Sequence, residues 1–294
     1  MRPRVIIVAT VILDAGLFVV NAYVAYYSGS HAVLSQAIYT VTDLIGGLLI
    51  FWGLLISNRP PDQTHPFGFG KDRFFWSFSS SLVTFTAAGL IVLVSGFQQA
   101  LSPSPVDHVP YAILVVGITL AVSLAGIWIT LRELRHGRET LSDLLESAQL
   151  GLKTIFYQDL VSVVGSGVAF VGLFLVQYTH NAAVDGITAM GVGLLLIVTG
   201  VVAAAESREL LIGKAISPEN ARRILQVVER DARVRQVRGL QSMMLGPDDV
   251  LVALRVNFQD GLTTDQIESA IDTLAVSLRS VYPTIRHLVI EPES

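Results

Sequence analysis

The sequence predicts a polytopic α-helical membrane domain followed by a small α+β domain, on three observations. Hydrophobic residues make up 52% of the chain and charged residues only 15%, against roughly 25% charged in a typical soluble domain. Six apolar runs, near residues 5–27, 32–56, 74–98, 111–131, 154–177 and 184–205, are each long enough to cross about 30 Å of hydrocarbon as a helix. After Glu206 these runs stop and ordinary globular patterning begins. The expected division is therefore residues 1–206 as six membrane spans and residues 207–294 as an αββαβ domain.

The first run is too long for a signal-peptide core and lacks a small-residue cleavage site, so it is expected to be retained as a helix. The connections 28–31, 99–110 and 178–183 hold no Lys or Arg, whereas Arg2, Arg4, Arg59, Lys71, Arg73, Arg132, Arg135, Arg138, Arg208 and Lys214 all fall on the other side. By the bias of basic residues toward the cytoplasm, both termini are expected to be cytoplasmic, and the expected setting is a prokaryotic cell membrane. With no cysteine in the chain, disulfides and thiolate metal sites are excluded.

In the tail, Ser217 before Pro218 is a helix cap followed by a first-turn proline, with Ile224, Leu225 and Val228 on the apolar face. A strand is expected near 234–244, a turn at Gly246 and Pro247, and a second strand over 250–258, which is rich in β-branched residues. Thr263 and Gln266 form a capping box for a second helix carrying Ile267, Ile271, Leu274 and Leu278 along one stripe. Residues 285–291 close the domain as a last strand. Acidic and basic residues nearly balance after residue 206, which gives nucleic-acid binding no electrostatic footing. At the cytoplasmic side, Lys71, Asp72 and Arg73 are candidates to pair with Glu206 and Glu209.

Ionisable residues inside membrane spans are costly and mark ion paths or proton relays. Asp43 lies in the second span, with Tyr39 one helical turn before it and Thr42 beside it. Gln158 and Asp159 lie near the cytoplasmic end of the fifth span, with Ser162 and Ser166 continuing the stripe. Two carboxylates, a phenol and an amide from two helices make an oxygen-rich site for a small divalent cation. The competing reading makes each Asp a hydrogen-bonded packing residue. Asp14 and Asn21, seven residues apart on one face of the first span, are a third polar element: a proton relay, a partner for Asp43 or an interhelical bridge. Gly46, Gly47, Gly165 and Gly167 read as close-approach positions. No nucleophile and base stand at a spacing that suggests an enzyme.

Three segments carry a resemblance over nearly the whole chain: SGSHAVLSQAIYTVTD at the second span, HPFGFGKDRFFWSF before the third, and ESRELLIGKAISPE followed by LGPDDVLVALRVNF at the exit into the tail. With these, the chain resembles the cation diffusion facilitator family of divalent metal-ion/proton antiporters, in the subgroup that includes the mitochondrial zinc transporter. The resemblance implies a ferredoxin-like cytoplasmic tail, homodimers, and efflux of metal from the cytoplasm in exchange for protons. It also implies a transport site on the second and fifth spans, with Asp43 and Asp159 on the family's two aspartate positions. The earlier positions of that pattern hold Tyr39 and Ile155, and Gln158 stands before Asp159. Without imidazole the donors are hard oxygens, which widens the expected cargo from zinc to manganese and iron(II). No resident cofactor is implied.

His65 falls on a loop position that binds metal in some relatives, but its usual companion position is Phe69. The plainer reading gives His65 and Pro66 a loop-shaping role. The tail positions that hold regulatory metals in other relatives align with Arg238 and Leu254, neither a zinc ligand, and His287 stands alone. Two alternatives remain: a non-transporting or regulatory homologue acting as a partner subunit, and a carrier of another solute that uses Asp14 and Asp43 for protons.

Overall fold

The structure, a computed structural model, describes the backbone of residues 3–137 and 150–293, and the side chains of 15–82, 85–129, 131–132 and 160–293. The chain separates into two compact units, Met1–Phe51 with Ser77–Ala205, and Trp52–Trp76 with Glu206–Ser294.

The first unit is helical. The helices that build it are α1 (Pro3–Ser28), α2 (His31–Ser57), α3 (Asp72–Ser79), α4 (Ala87–Leu101), α5 (Val109–Gly137), α6 (Leu150–Thr179) and α7 (Ala183–Ile212), of which α2, α3 and α7 also contribute residues to the second unit. Five helical stretches among the described residues are long and apolar enough to cross a membrane: His31–Ser57, Asp72–Leu101, Val109–Ile129, Leu160–Thr179 and Ala183–Ile212. Helix α1 occupies the remaining expected span. Large apolar side chains such as Leu48, Trp128, Phe174 and Val201 point outward, which suits a hydrocarbon surround.

The third span departs from the expected single α-helix. Between α3 and α4 the chain widens into a π-helical turn over Ser80–Thr86. A π turn leaves backbone groups to be satisfied by other means, and this segment is rich in hydroxyls; Ser81 Oγ donates to the Ser77 carbonyl at 3.0 Å. The bulge also lies against Gly200 of α7, where a Cβ would come within 2.9 Å of both the Ser81 carbonyl and Phe85 Cβ.

Tight helix approach is made at glycines beyond those expected; of the expected ones, a Cβ on Gly165 would meet Leu195 Cδ2 at 3.7 Å, an ordinary contact. A Cβ on Gly47 or Gly167 would meet nothing within 4 Å, whereas one on Gly96 would sit 2.7 Å from the Gly186 carbonyl and one on Gly89 2.8 Å from the Gly193 carbonyl. Helices α4 and α7 thus pack backbone to backbone, a contact available only without side chains.

The second unit is built on the tail. Helix α8 (Pro218–Glu229) is capped by Ser217, whose side chain accepts from the Asn220 amide. Strands β1 (Val234–Gly246) and β2 (Asp249–Phe258) pair antiparallel, and β3 (Ile285–Pro292) pairs parallel to β2 after the crossover helix α9 (Thr264–Val281). Both halves of the Thr263/Gln266 capping box form. Val250, Val252, Leu254 and Val256 alternate toward the helices and bury against Ile224, Val228, Leu274 and Leu278, as a sheet covered on one face requires. At the end of α8, Arg233 donates twice to Asp231, at 2.9 and 2.7 Å, and holds that carboxyl below the usual range.

The connector between α2 and α3 belongs to this same unit. Gly68 adopts a φ of +78°, and a Cβ on Gly70 would collide with the Leu245 carbonyl and lie 3.2 Å from Gly246 Cα. The ring of Phe67 meets His287 edge-on at 5.1 Å. The HPFGFG motif is therefore shaped by the sheet that it touches. Gly70→Val should cost about 1–3 kcal/mol through overpacking, seen as a lower Tm of the purified protein.

The expected pairing of Lys71 with Glu206 or Glu209 is not formed among the described contacts. Glu209 pairs with Lys214 at 3.1 Å, and Lys71 Nζ donates to the Leu211 carbonyl at 3.4 Å. That carbonyl is at the end of α7, where unpaired acceptors and the helix dipole favour a cation.

Candidate metal-transport site

Tyr39 and Asp43 stand one turn apart on α2. Tyr39 is 8% exposed and packs with Val92, Ala189 and Leu196, its ring 6.5 Å from that of Phe85 in the π turn. Asp43 is half-buried. Gln158 and Asp159 lie on α6, as does Ile155, but their side chains, like that of Asp14, are outside the described residues.

The backbone still relates the two aspartate positions. Gln36 Nε2 on α2 donates to the Gly165 carbonyl on α6 at 3.2 Å. Successive spans run in opposite directions, which makes the second and fifth antiparallel, so seven residues onward along α2 and six residues back along α6 lead the same way. At 1.5 Å per residue, Asp43 and Asp159 then lie roughly 10 and 9 Å from that contact, on one level. Gln158 falls on the same level, and Ile155 lies about a turn beyond it.

A second polar layer separates this level from the face carrying the 28–31, 99–110 and 178–183 connections, here the far face. Ser123 on α5 and Ser162 on α6 share a hydrogen bond of 2.6 Å, one turn from Asp159. Ser166 Oγ donates to the Ser162 carbonyl at 2.6 Å, so the expected serine stripe of α6 is engaged. Asn21 is fully buried, and its Nδ2 donates to the Leu17 carbonyl at 2.8 Å and to Thr119 Oγ1 at 3.3 Å. An interhelical bridge, one of the roles left open for Asn21, is formed with Thr119 as partner. Ser123 and Thr119 escaped the sequence reading because an isolated hydroxyl in a transmembrane helix is ordinary until its neighbour is known.

Asp185 also escaped it. This fully buried residue, in the first turn of α7, accepts from Ser30 Oγ at 2.6 Å, the His31 amide at 2.6 Å and the Ala32 amide at 3.2 Å. One helix thereby supplies the N-terminal anion for another, satisfying amides that α2 cannot satisfy itself. The adjacent His31 Nδ1 lies 2.5 Å from Ser95 Oγ of α4.

His65 behaves as a loop residue. Asp62 accepts from the Thr64 amide, the Thr64 hydroxyl and the His65 amide at 2.9, 2.7 and 2.6 Å. The Thr64 hydroxyl, then the His65 amide, hold the Asp62 carboxyl below its ordinary range, and the His65 ring rests on Phe69 at 4.3 Å. His287 Nε2 lies 3.6 Å from Asp249 Oδ1. Among the described residues, no three His, Asp or Glu side chains gather as a metal cluster.

Residues 7–212 match the family model described as Cation efflux transmembrane domain. The chain is 26% identical over 239 residues to Metal tolerance protein C4 of Arabidopsis thaliana, which covers 79% of this chain and 52% of that protein. It is 27% identical over 243 residues to the human mitochondrial Proton-coupled zinc antiporter SLC30A9, covering 81% of this chain and 43% of that protein. It is 24% identical over 279 residues to Cation-efflux pump FieF of Klebsiella pneumoniae, covering 91% and 87%. The chain thus spans about half the length of the first two relatives and most of the third.

Proposed function

The chain belongs to the cation efflux, or cation diffusion facilitator, family, and on that footing we propose that it exports a divalent metal cation from the cytoplasm in exchange for protons. Asp43 and Asp159 are the charged ligands in this reading, with Tyr39 and Gln158 as neutral oxygen donors. The observation that carries it is the Gln36 to Gly165 hydrogen bond, because the register it sets brings the two aspartate positions to one level. Relatives named for zinc and for cation efflux support a divalent cargo. The all-oxygen donor set extends the candidates to manganese and iron(II) beside zinc.

A cation entering from the cytoplasmic side displaces protons from the two carboxylates, the helices reorient, and protons from the far side return as the metal leaves. The termini lie in the cytoplasm, the six-span domain ends near residue 206, and two copies associate through their tails. The test is metal-dependent proton movement in proteoliposomes across zinc, manganese, iron(II), cobalt and magnesium. Proton release coupled to uptake of one or more of these metals is expected. Correctly folded protein that moves neither metal nor protons would replace this reading with that of a non-transporting partner subunit.

A further inference from the structure

The buried oxygen of Asn21 has no hydrogen-bond donor among the described residues. Its orientation is fixed by chemistry: the other arm of the amide lies 2.8 Å from the Leu17 carbonyl, which only accepts, so that arm is the NH2 and the orphan is the acceptor Oδ1. An amide oxygen with no partner inside a membrane domain costs free energy comparable to a lost hydrogen bond. A buried water held between polar groups is the usual remedy.

The position of that oxygen gives the water a role. From Thr119, which Asn21 contacts, four residues along α5 lead about 6 Å to Ser123. Ser123 bonds Ser162, and three residues back along α6 lead roughly 4.5 Å further to the Asp159 position. The Asn21 layer is therefore about 10 Å on the far side of the carboxylates, with hydroxyls between. One turn beyond it, Ala25, Val33, Val116, Ala169 and Leu173 close together as a fully apolar cluster. The Asn21 layer therefore lies on the inner side of an apolar plug, at the end of a ladder of polar side chains.

We propose that Asn21 Oδ1 holds a buried water that is the outermost station of the proton path to Asp43 and Asp159, an inference that rests on the antiport reading above. Protons pass through it by exchange: the water accepts one proton from the far side when the plug hydrates and releases another toward the Ser123/Ser162 layer. A carboxylate takes that proton as the metal departs. Water and hydroxyls are unchanged at the end of each transfer.

The test compares Asn21→Leu with Asn21→Ala in proteoliposomes, reading metal uptake and proton release together. Leucine fills the site with apolar atoms and excludes water, whereas alanine leaves room for a further water against the Leu17 carbonyl and Thr119 Oγ1. Asn21→Leu is expected to slow coupled proton release about tenfold while still binding metal by calorimetry, and Asn21→Ala to run at least about threefold faster than Asn21→Leu. A packing role predicts the reverse order, since alanine leaves the larger void; that order, or equal rates, overturns the proposal. If Asn21→Leu does not fold, Thr119→Val, which removes the hydroxyl that anchors the amide, must slow proton release at unchanged metal binding, and a normal rate overturns the proposal. Wild-type protein that moves no metal overturns the antiport reading and this relay with it, whereas normal wild-type flux with an unaffected Asn21→Leu overturns the relay alone.

Discussion

Asp43→Asn is expected to lower metal-dependent flux about a hundredfold or more while leaving the protein folded. The substitution keeps the shape of the side chain and one oxygen, but removes the charge that binds a dication and the group that exchanges a proton for it. Because an ionised carboxylate at membrane depth is costly, neutralising it should leave Tm unchanged or raise it. That pairing of lost transport with intact stability separates a ligand from a packing residue, whose replacement would do the opposite. Asp159→Asn should match it, since the two positions lie on one level of facing helices. Normal export by Asp43→Asn would dismiss the assignment of the site.

Asp185→Ala should give the largest loss of stability of any single substitution on the far face. Three donors converge on this fully buried carboxylate, two of them amides of the first turn of α2 that have no partner within their own helix. Their loss should cost about 3–5 kcal/mol, or a fall of roughly 10 °C in the Tm of the detergent-solubilised protein. Asp185→Asn retains one acceptor oxygen and should lose about half as much. A Tm for Asp185→Ala within a degree or two of wild type would show that Ser30, which also caps α2 by accepting from the Val33 amide at 3.2 Å, suffices alone.

What the sequence made legible depended on how local the cause was. The Ser217 cap and the Thr263/Gln266 box were visible because each acts within four residues. The second strand was visible because its run over 250–258 is rich in β-branched and apolar residues, and the turn at Gly246 and Pro247 marked where the first strand ends. The π turn over Ser80–Thr86 was hidden because an apolar run has the same composition whether its turns hold 3.6 residues or more. Asp185 looked like an ordinary first-turn acid; its partners are some 155 residues away in the chain, and nothing near it in sequence points to them. The glycines of α4 and α7 were passed over for a related reason. Gly89, Gly96, Gly186 and Gly193 are spaced by seven within each helix, but a spacing becomes an interface only once the partner helix is known. In the proposed site, the aspartates stood out by their cost in a membrane, while Thr119 and Ser123 of the neighbouring layer carried no such signal.

The contact of the HPFGFG connector with the sheet bears on how the protein can be taken apart. A fragment cut at residue 207 would carry the strands and both helices of the tail, but would leave behind the Phe67 ring that packs on His287 and the Gly70 backbone that packs on Leu245. The piece most suited to stand alone is therefore discontinuous in sequence: residues 206–294 with a peptide spanning 58–71 added in trans, two strands of chain reconstituting one fold by complementation.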